Sequence, residues 1–591
     1  MTGTDEQNYH IKEYHKFYTS TEPLVLKSGD SLSEFTLCYE THGILNGDSS
    51  NAILIFHALS GDSHIAKHHN DDHPGWWDVL VGPGKYIDTN TFFVICANTI
   101  GGCSGSTGPG NINPDSGRIY GSAFPDITIE DMAAAQKILI DYLGIKKLHA
   151  VIGGSMGGQL ALSWGILFPD SAHRIVLLAT SARLSSQALA FDIVGRNAIR
   201  HDQNFHDGEY ALKGVVPKNG LAIARMIGHI TYLSAEVMRD KFESSRHNPR
   251  DIDTSFEKNF SVGSYLSYQG EKFVERFDAN SYITLTQALD SFDQGSTAED
   301  IAGKLRNSGS KWLILSFSSD WLFTPEDSLK ITEALILNHI PVSHHCIQSS
   351  AGHDAFLIEN DSKQYGTLIS NFLQPDSENN ANCCNIEDTN TVLLPGRNDL
   401  SFFAQLIAPE SSVLDLGSGN GELLACLKGK GATHIQGLDI DFEAISNCVK
   451  KDIPAISFDL ANPLPFPDNH FDYVILSLTL QAVKNTEQIL TEITRVGKQA
   501  VISIPNFAYY KLRKMFNDKG LAPVSPGILH YQWYNTPNIR FFSINDFEIL
   551  CDTLNIRITK RYAFDTESAQ TIDKEINSMA DLAVYILGKA G

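Results

Sequence analysis

At 591 residues the chain is too long for one hydrophobic core, so two or more domains are expected. Hydrophobic residues make up 42% and charged residues 19%, an ordinary soluble balance, and no apolar run is long enough to span a bilayer. A formal net charge of -23 excludes a general nucleic-acid binder, which needs a basic surface, although a local basic patch for an anionic cofactor stays open.

From about Lys16 to about Leu373, short apolar strands alternate with helical patterns, the signature of an α/β domain. The strand Ala52 to Phe56 runs into His57-Ala-Leu59-Ser-Gly61, a loop whose Leu59 N–H is a candidate oxyanion donor. Phe92 to Cys96 forms the next strand. His149 to Ile152 then enters Gly153-Gly-Ser155-Met-Gly157, which fits the G-x-S-x-G nucleophile elbow of α/β-hydrolase folds. Small residues flank the serine because the turn is strained and its backbones pack closely. A helix with Leu160, Ala161, Trp164 and Leu167 on its apolar face follows, and the Met156 N–H at its start is the other oxyanion candidate.

After the strand Arg174 to Ala179 the strand rhythm stops. The stretch 184–306 reads as a helical insertion capping the site. The strand Trp312 to Ser316 ends in a polar loop with Asp320; Glu326 and Asp327 lie beyond Pro325, where helix capping explains them. Gly352-His353-Asp354 then precedes an apolar helix, while His344 and His345 sit inside the last strand. Ser155, Asp320 and His353 follow the order nucleophile, acid, base that this fold requires.

Residues 374–398 (QPDSENNANCCNIEDTNT and flanks) are polar and read as a linker, dividing residues 1–373 from residues 399–591. Val413-Leu-Asp415-Leu-Gly417-Ser-Gly419-Asn-Gly421-Glu422 is a strand running into a glycine turn. Glu422 stands where a dinucleotide fingerprint needs glycine. The acidic residue before the first glycine instead resembles the S-adenosylmethionine-dependent methyltransferase motif, with a Rossmann-like fold. Asp439 ends the next strand and suits a ribose diol; Asp459, after Ile456-Ser-Phe, is placed to neighbour the adenine. No cysteine pair has metal-ligand spacing, Cys383-Cys384 being adjacent, and no signal peptide is evident; a cytoplasmic setting without metal is expected.

His57-Ala-Leu-Ser-Gly-Asp-Ser-His64, Trp76-Trp-Asp, Gly101-Gly-Cys-x-Gly-Ser-Thr-Gly-Pro109, Asn113-Pro, Gly153-Gly-Ser-Met-Gly-Gly158 and Gly352-His-Asp-Ala-Phe356 together resemble the homoserine O-acetyltransferase family of methionine biosynthesis. The resemblance covers nearly all of the first ~370 residues. It implies acetyl transfer from acetyl-CoA to the L-homoserine hydroxyl, with Ser155, Asp320 and His353 as triad and Arg225 and Asp354 as the substrate-binding pair. Related enzymes use succinyl-CoA, and a serine hydrolase acting on esters or lactones is the competing class. Independently, Arg225, His229 and Tyr232 share one face of a predicted helix, with Ile223, Ile227 and Ile230 largely elsewhere around it. Phe471-Asp-Tyr-Val-Ile-Leu-Ser, Ile504-Pro-Asn-Phe507 and Trp533-Tyr-Asn-Thr-Pro-Asn-Ile539 resemble the methionine-biosynthesis protein MetW, apart from Ser418, where cysteine is common. That resemblance leaves open whether the second region methylates an acceptor or regulates the first. The partners expected are small molecules, with no nucleic acid or membrane, in a homodimer by analogy with the family.

Overall fold

A computed structural model describes residues 14–243, 260–375, 398–525, 528–568 and 570–589. The chain divides into two compact units, residues 1–373 and 374–591. Most of the expected linker, with Cys383 and Cys384, lies outside the described residues.

The first unit is built on strands β1 (Lys16–Ser20), β2 (Phe35–His42), β3 (Ala52–Phe56), β4 (Phe93–Ala97), β5 (Leu148–Gly154), β6 (Ala172–Leu178), β7 (Lys311–Phe317) and β8 (Val342–Ile347). Their order is β1-β2-β4-β3-β5-β6-β7-β8. The pairings β1–β2 and β2–β4 are antiparallel and all the others parallel. Strands β3 and β5 are buried along their whole length, as central parallel strands covered on both faces must be. That burial is why they read as continuous apolar runs rather than alternating ones.

Helix α1 (Ile129–Tyr142) starts at a Thr128/Asp131 capping box. Helix α2 (Met156–Leu167) follows β5 directly and is buried from Met156 through Gly165; Leu167, expected on its apolar face, is 42% exposed at its last turn. Between β6 and β7 lie α3 (Ser186–Arg200), α4 (Lys218–Tyr232), α5 (Ala235–Phe242), α6 (Ser261–Val274), α7 (Ala279–Ser291) and α8 (Ala298–Leu305). Helix α4 packs between α3 and α6, whereas α8 packs on α9 (Pro325–Leu337), so the end of this stretch belongs to the body of the unit. The Thr324/Asp327 capping box opens α9 with Pro325 in its first turn, which accounts for Asp327 as a cap.

In the second unit, β9 (Ser412–Leu416), β10 (His434–Asp439), β11 (Ala455–Ser457), β12 (Phe471–Ser477), β13 (Gly497–Pro505), β14 (Ile556–Asp565) and β15 (Leu582–Lys589) run β11-β10-β9-β12-β13-β15-β14. The pairings are parallel from β11 to β13, and β15 is antiparallel to both its neighbours. The order reverses direction between β9 and β12, and ligands of such sheets bind at the carboxyl ends of the strands flanking that reversal. Among the described residues, no helix is long and apolar enough to cross a membrane.

Candidate active site

Ser155 stands between β5 and α2 with φ 58° and ψ -124°, a conformation costly for any residue carrying a Cβ. The neighbouring glycines make that turn possible. A Cβ on Gly153 would lie 1.9 Å from the Gly157 carbonyl oxygen, and one on Gly157 would lie 2.3 Å from that of Phe56. The turn lifts the serine hydroxyl to the histidine: His353 Nε2 is 2.9 Å from Ser155 Oγ, and His353 Nδ1 is 2.7 Å from Asp320 Oδ2. The other Asp320 oxygen accepts the backbone N–H groups of Leu322 and Phe323, each at 3.0 Å. Three residues separated by up to 198 positions thus form one buried hydrogen-bonded line. Burial opposes charge on the His353 imidazole, but the Asp320 carboxylate overrides it and holds the histidine pKa above its ordinary value.

Ser155 and His353 open into a cavity of about 110 Å³ whose walls also include Leu59, Arg225, Tyr232 and Asp354. The backbone N–H groups of Leu59 and Met156 find no acceptor among the described residues. Arg225 is held by the faces of Phe273 (4.8 Å to the ring centroid) and Tyr232 (5.7 Å), and its Nη1 donates to Ser60 Oγ at 3.4 Å. It makes no ion pair among the described residues, so a half-buried guanidinium faces the cavity without a salt-bridge partner. Burial pushes the Asp354 carboxyl above the usual range although His353 and Arg225 stand near it. The cavity therefore offers the Arg225 cation, the Asp354 carboxyl group and a serine flanked by free amide donors.

Helix α4 is rotated from its expected setting. Arg225 and Tyr232 do share the cavity face, but Ile227 joins them as a wall. His229 turns aside, with Nδ1 3.3 Å from the Tyr265 hydroxyl; burial pushes its pKa down to about 3, so it stays neutral. Ile223 and Ile230 are 46% and 41% exposed. The structure adds Asp192 of α3, also a wall of the cavity, which no sequence signal singled out. Burial and the neighbouring Asp290 raise its pKa well above the carboxylate range, while Asp290 is ion-paired to Arg196. Its only trace in the sequence is Arg196 four residues on, on the same helix. Burial lowers the pKa of His344 and His345 in β8 to about 4, as ordinary core histidines.

In the second unit, Gly417, Gly419 and Gly421 have φ of 73°, 50° and 71°, which favours glycine at all three. A Cβ on Gly417 would meet Thr479 Oγ1 at 2.7 Å, and one on Gly421 would meet Cys448 Sγ at 2.8 Å. The turn borders a cavity of about 170 Å³ walled by Asp415, Gly417, Ser418, Gly419, Glu422 and Ser477, at the carboxyl ends of β9 and β12. Asp439 reaches this turn from β10, its Oδ2 accepting the Gly419 N–H at 2.8 Å. Asp459 stands apart: it is exposed, and its Oδ1 accepts the Ala461 N–H at 2.9 Å in its own turn.

Residues 51–360 match the alpha/beta hydrolase fold family, and residues 397–587 match the methionine biosynthesis protein MetW. Over 97% of the chain and 92% of the relative, the sequence is 46% identical to the bifunctional methionine biosynthesis protein MetXA/MetW of Rhodopirellula baltica. The chain belongs to this bifunctional MetXA/MetW family. Its MetXA part is 50% identical to a homoserine O-acetyltransferase of Methanohalobium evestigatum, covering 61% of the chain and 73% of that relative. It is 48% identical to a homoserine O-succinyltransferase of Hydrogenovibrio crunogenus, covering 58% and 90% respectively. Among solved structures, esterase E22 aligns with TM-score 0.55 and 29% identity, covering 61% of this chain and 99% of that one. The homoserine O-acetyltransferase of Bacillus anthracis aligns with TM-score 0.55 and 27% identity, covering 62% and 99%. The α/β-hydrolase fold and the MetW-type second unit read from the sequence are both borne out.

Proposed function

We propose that the first unit is a homoserine O-acetyltransferase of methionine biosynthesis, working through an acyl-Ser155 intermediate, and that the MetW-type unit holds S-adenosylmethionine. One observation carries the first reading: the cavity that contains Ser155 also contains the unpaired Arg225 guanidinium and the Asp354 carboxyl. A zwitterionic amino acid needs this pair, with the guanidinium taking its carboxylate and Asp354 its ammonium. An enzyme that hydrolyses simple esters needs neither.

The chemistry follows from the hydrogen-bonded line. His353 Nε2 removes the Ser155 proton as Oγ attacks the thioester carbon of acetyl-CoA. Asp320 holds the imidazolium that forms and fixes its Nδ1 proton. The oxyanion lies on the Leu59 and Met156 amides; as the tetrahedral adduct collapses, the C–S bond breaks and His353 protonates the departing thiolate. Homoserine then enters, held by Arg225 and Asp354 with Tyr232 along the wall. His353 takes its hydroxyl proton as the homoserine oxygen attacks the acyl carbon. The tetrahedral adduct then collapses, the bond from that carbon to Ser155 Oγ breaks, His353 returns the proton to Oγ, and O-acetylhomoserine leaves. Kinetics are ping-pong. Mass spectrometry of products from acetyl-CoA, succinyl-CoA and homoserine mixed with the protein tests the reading. O-acetylhomoserine is expected. Acetate as the only acyl product would make the unit a hydrolase, and O-succinylhomoserine as the main product would make succinyl the donor.

In the second unit, backbone at Gly417 and Gly419 can approach a ligand closely because no Cβ intervenes, and Asp415 and Glu422 offer carboxylates at the cavity wall. S-adenosylmethionine, when bound, supplies an activated methyl group. Asp439 is one hydrogen bond from the same turn and is the acceptor for a ribose diol. Calorimetric titration of the full chain with S-adenosylmethionine tests this, and an absence of saturable heat would refute it.

A further inference from the structure

Away from the cavity, four histidines gather around a glutamate with no solvent exposure. Glu40 of β2 has Oε2 3.0 Å from His64 Nδ1 and 2.7 Å from His68 Nε2. His15 Nε2 stands 3.1 Å from Oε1, an ion-pair contact to the other carboxylate oxygen. The fourth ring, His42, stacks on His68 at 4.1 Å with 17° between planes, and Tyr14 stacks on the other face at 4.0 Å and 16°. This sandwich fixes the ring of His68 with Nε2 aimed at Glu40. His64 is fixed differently: its Nε2 lies 2.9 Å from the His73 carbonyl oxygen.

That last contact limits what can lie between His64 and Glu40. A carbonyl only accepts, so His64 Nε2 carries the hydrogen and a neutral ring leaves Nδ1 as a bare lone pair. Two lone pairs, one on Nδ1 and one on the carboxylate, cannot face each other at 3.0 Å in a dry interior without a positive charge between them. Either the ring is doubly protonated or a cation occupies the contact. A histidine whose second nitrogen donates to a backbone carbonyl is the usual arrangement of a metal ligand. Glu40, His64 and His68 offer three ligand atoms within 4.8 Å of one another. Ligands about 2.1 Å from a zinc ion stand roughly 3 Å apart at right angles and about 3.4 Å apart in a tetrahedron, so the 3.0 Å contact of His64 matches the right-angle spacing and the 2.7 Å contact of His68 must open slightly around an ion.

We propose that Glu40, His64 and His68 form a structural site for a divalent ion of the zinc class, in which His15 supports the far oxygen of Glu40. The sequence suggested no metal because Glu40 lies on a different strand from the His64–His68 loop and no cysteine takes part. The ion ties β2 to the loop that begins at the Leu59 oxyanion candidate, so its role is to hold that loop, and it touches no reacting atom.

The test uses the full-length protein, stripped with chelator, reloaded with Zn²⁺, dialysed and assayed by plasma mass spectrometry for metal per chain. One retained ion per chain is expected, with affinity lowered about 100-fold or more in His68→Ala and Glu40→Gln. Co²⁺ substitution needs no variant. Visible absorption of a four- or five-coordinate nitrogen–oxygen site should appear in the unmodified chain and bleach on adding Zn²⁺. Failure to retain zinc, retention unchanged in both variants, or no cobalt band would each overturn the proposal, leaving His64 as a buried imidazolium paired with Glu40.

Discussion

Replacing Asp320 by asparagine should disable the triad through the histidine tautomer, and the reason lies in the two sides of the carboxylate. Oδ1 accepts two backbone N–H groups, from Leu322 and Phe323, and Oδ2 accepts the His353 Nδ1 proton. An asparagine has one acceptor oxygen and one donor nitrogen. Turning the oxygen toward His353 would aim the NH₂ at two N–H donors and forfeit two buried hydrogen bonds, at about 1–1.5 kcal/mol each before repulsion. The amide therefore keeps its oxygen on Leu322 and Phe323 and presents N–H to His353 Nδ1. The imidazole must then accept at Nδ1 and carry its hydrogen on Nε2, the atom 2.9 Å from Ser155 Oγ. A protonated Nε2 cannot take the serine proton. By analogy with the serine-protease triad, kcat should fall about 10⁴-fold, roughly 5.5 kcal/mol of barrier. The assay is thiol release from acetyl-CoA with and without homoserine, alongside thermal unfolding to show that the fold persists. A loss below about tenfold in a folded variant would refute the tautomer argument and remove Asp320 from the triad.

Other outcomes follow from the same geometry. Since His353 must be neutral to act and Asp320 raises its pKa, activity should fall as pH drops, with its half-point above the ordinary value of about 6.5; a midpoint below 6 in a kcat/KM profile would contradict the raised pKa. Arg225→Met should raise the homoserine KM roughly 30- to 150-fold, for a lost charge-assisted contact of about 2–3 kcal/mol, while single-turnover acylation from acetyl-CoA stays within about threefold. Equal damage to both half-reactions would place Arg225 outside the acceptor site. Gly157→Ala would put a Cβ 2.3 Å from the Phe56 carbonyl oxygen; the first turn of α2 must shift, costing about 1–3 kcal/mol of stability and on the order of 10²-fold in acylation, as read by melting and acyl-enzyme trapping. An unchanged acylation rate would count against Met156 as an oxyanion donor. Gly421→Ala forces a left-handed φ of 71° on a residue with a Cβ 2.8 Å from Cys448 Sγ; it should weaken S-adenosylmethionine binding about tenfold or more by calorimetry, and unchanged affinity would move the ligand elsewhere.

The elbow, the order of Ser155, Asp320 and His353, and the glycine turn at Gly417 to Gly421 were legible from residue order alone. Their requirements are local: a backbone that must pass through φ > 0, or pack a turn against its own helix, demands glycine wherever the fold is built, and a catalytic order follows from strand order. Even Asp327 could be set aside from sequence, because a capping box is completed within three residues. The cavity walls were a different matter. Which face of α4 lines the cavity depends on its rotation between α3 and α6, and that rotation brings in Ile227 and turns His229 toward Tyr265. Asp192 reaches the cavity, and Glu40 meets His64 and His68, only because separate elements are packed together. Asp459 looked well placed at a strand end, yet its side chain closes its own turn. Periodicity can tell which residues of an element leave the solvent, but the neighbour each one meets is chosen by packing between elements, through contacts that no local pattern encodes.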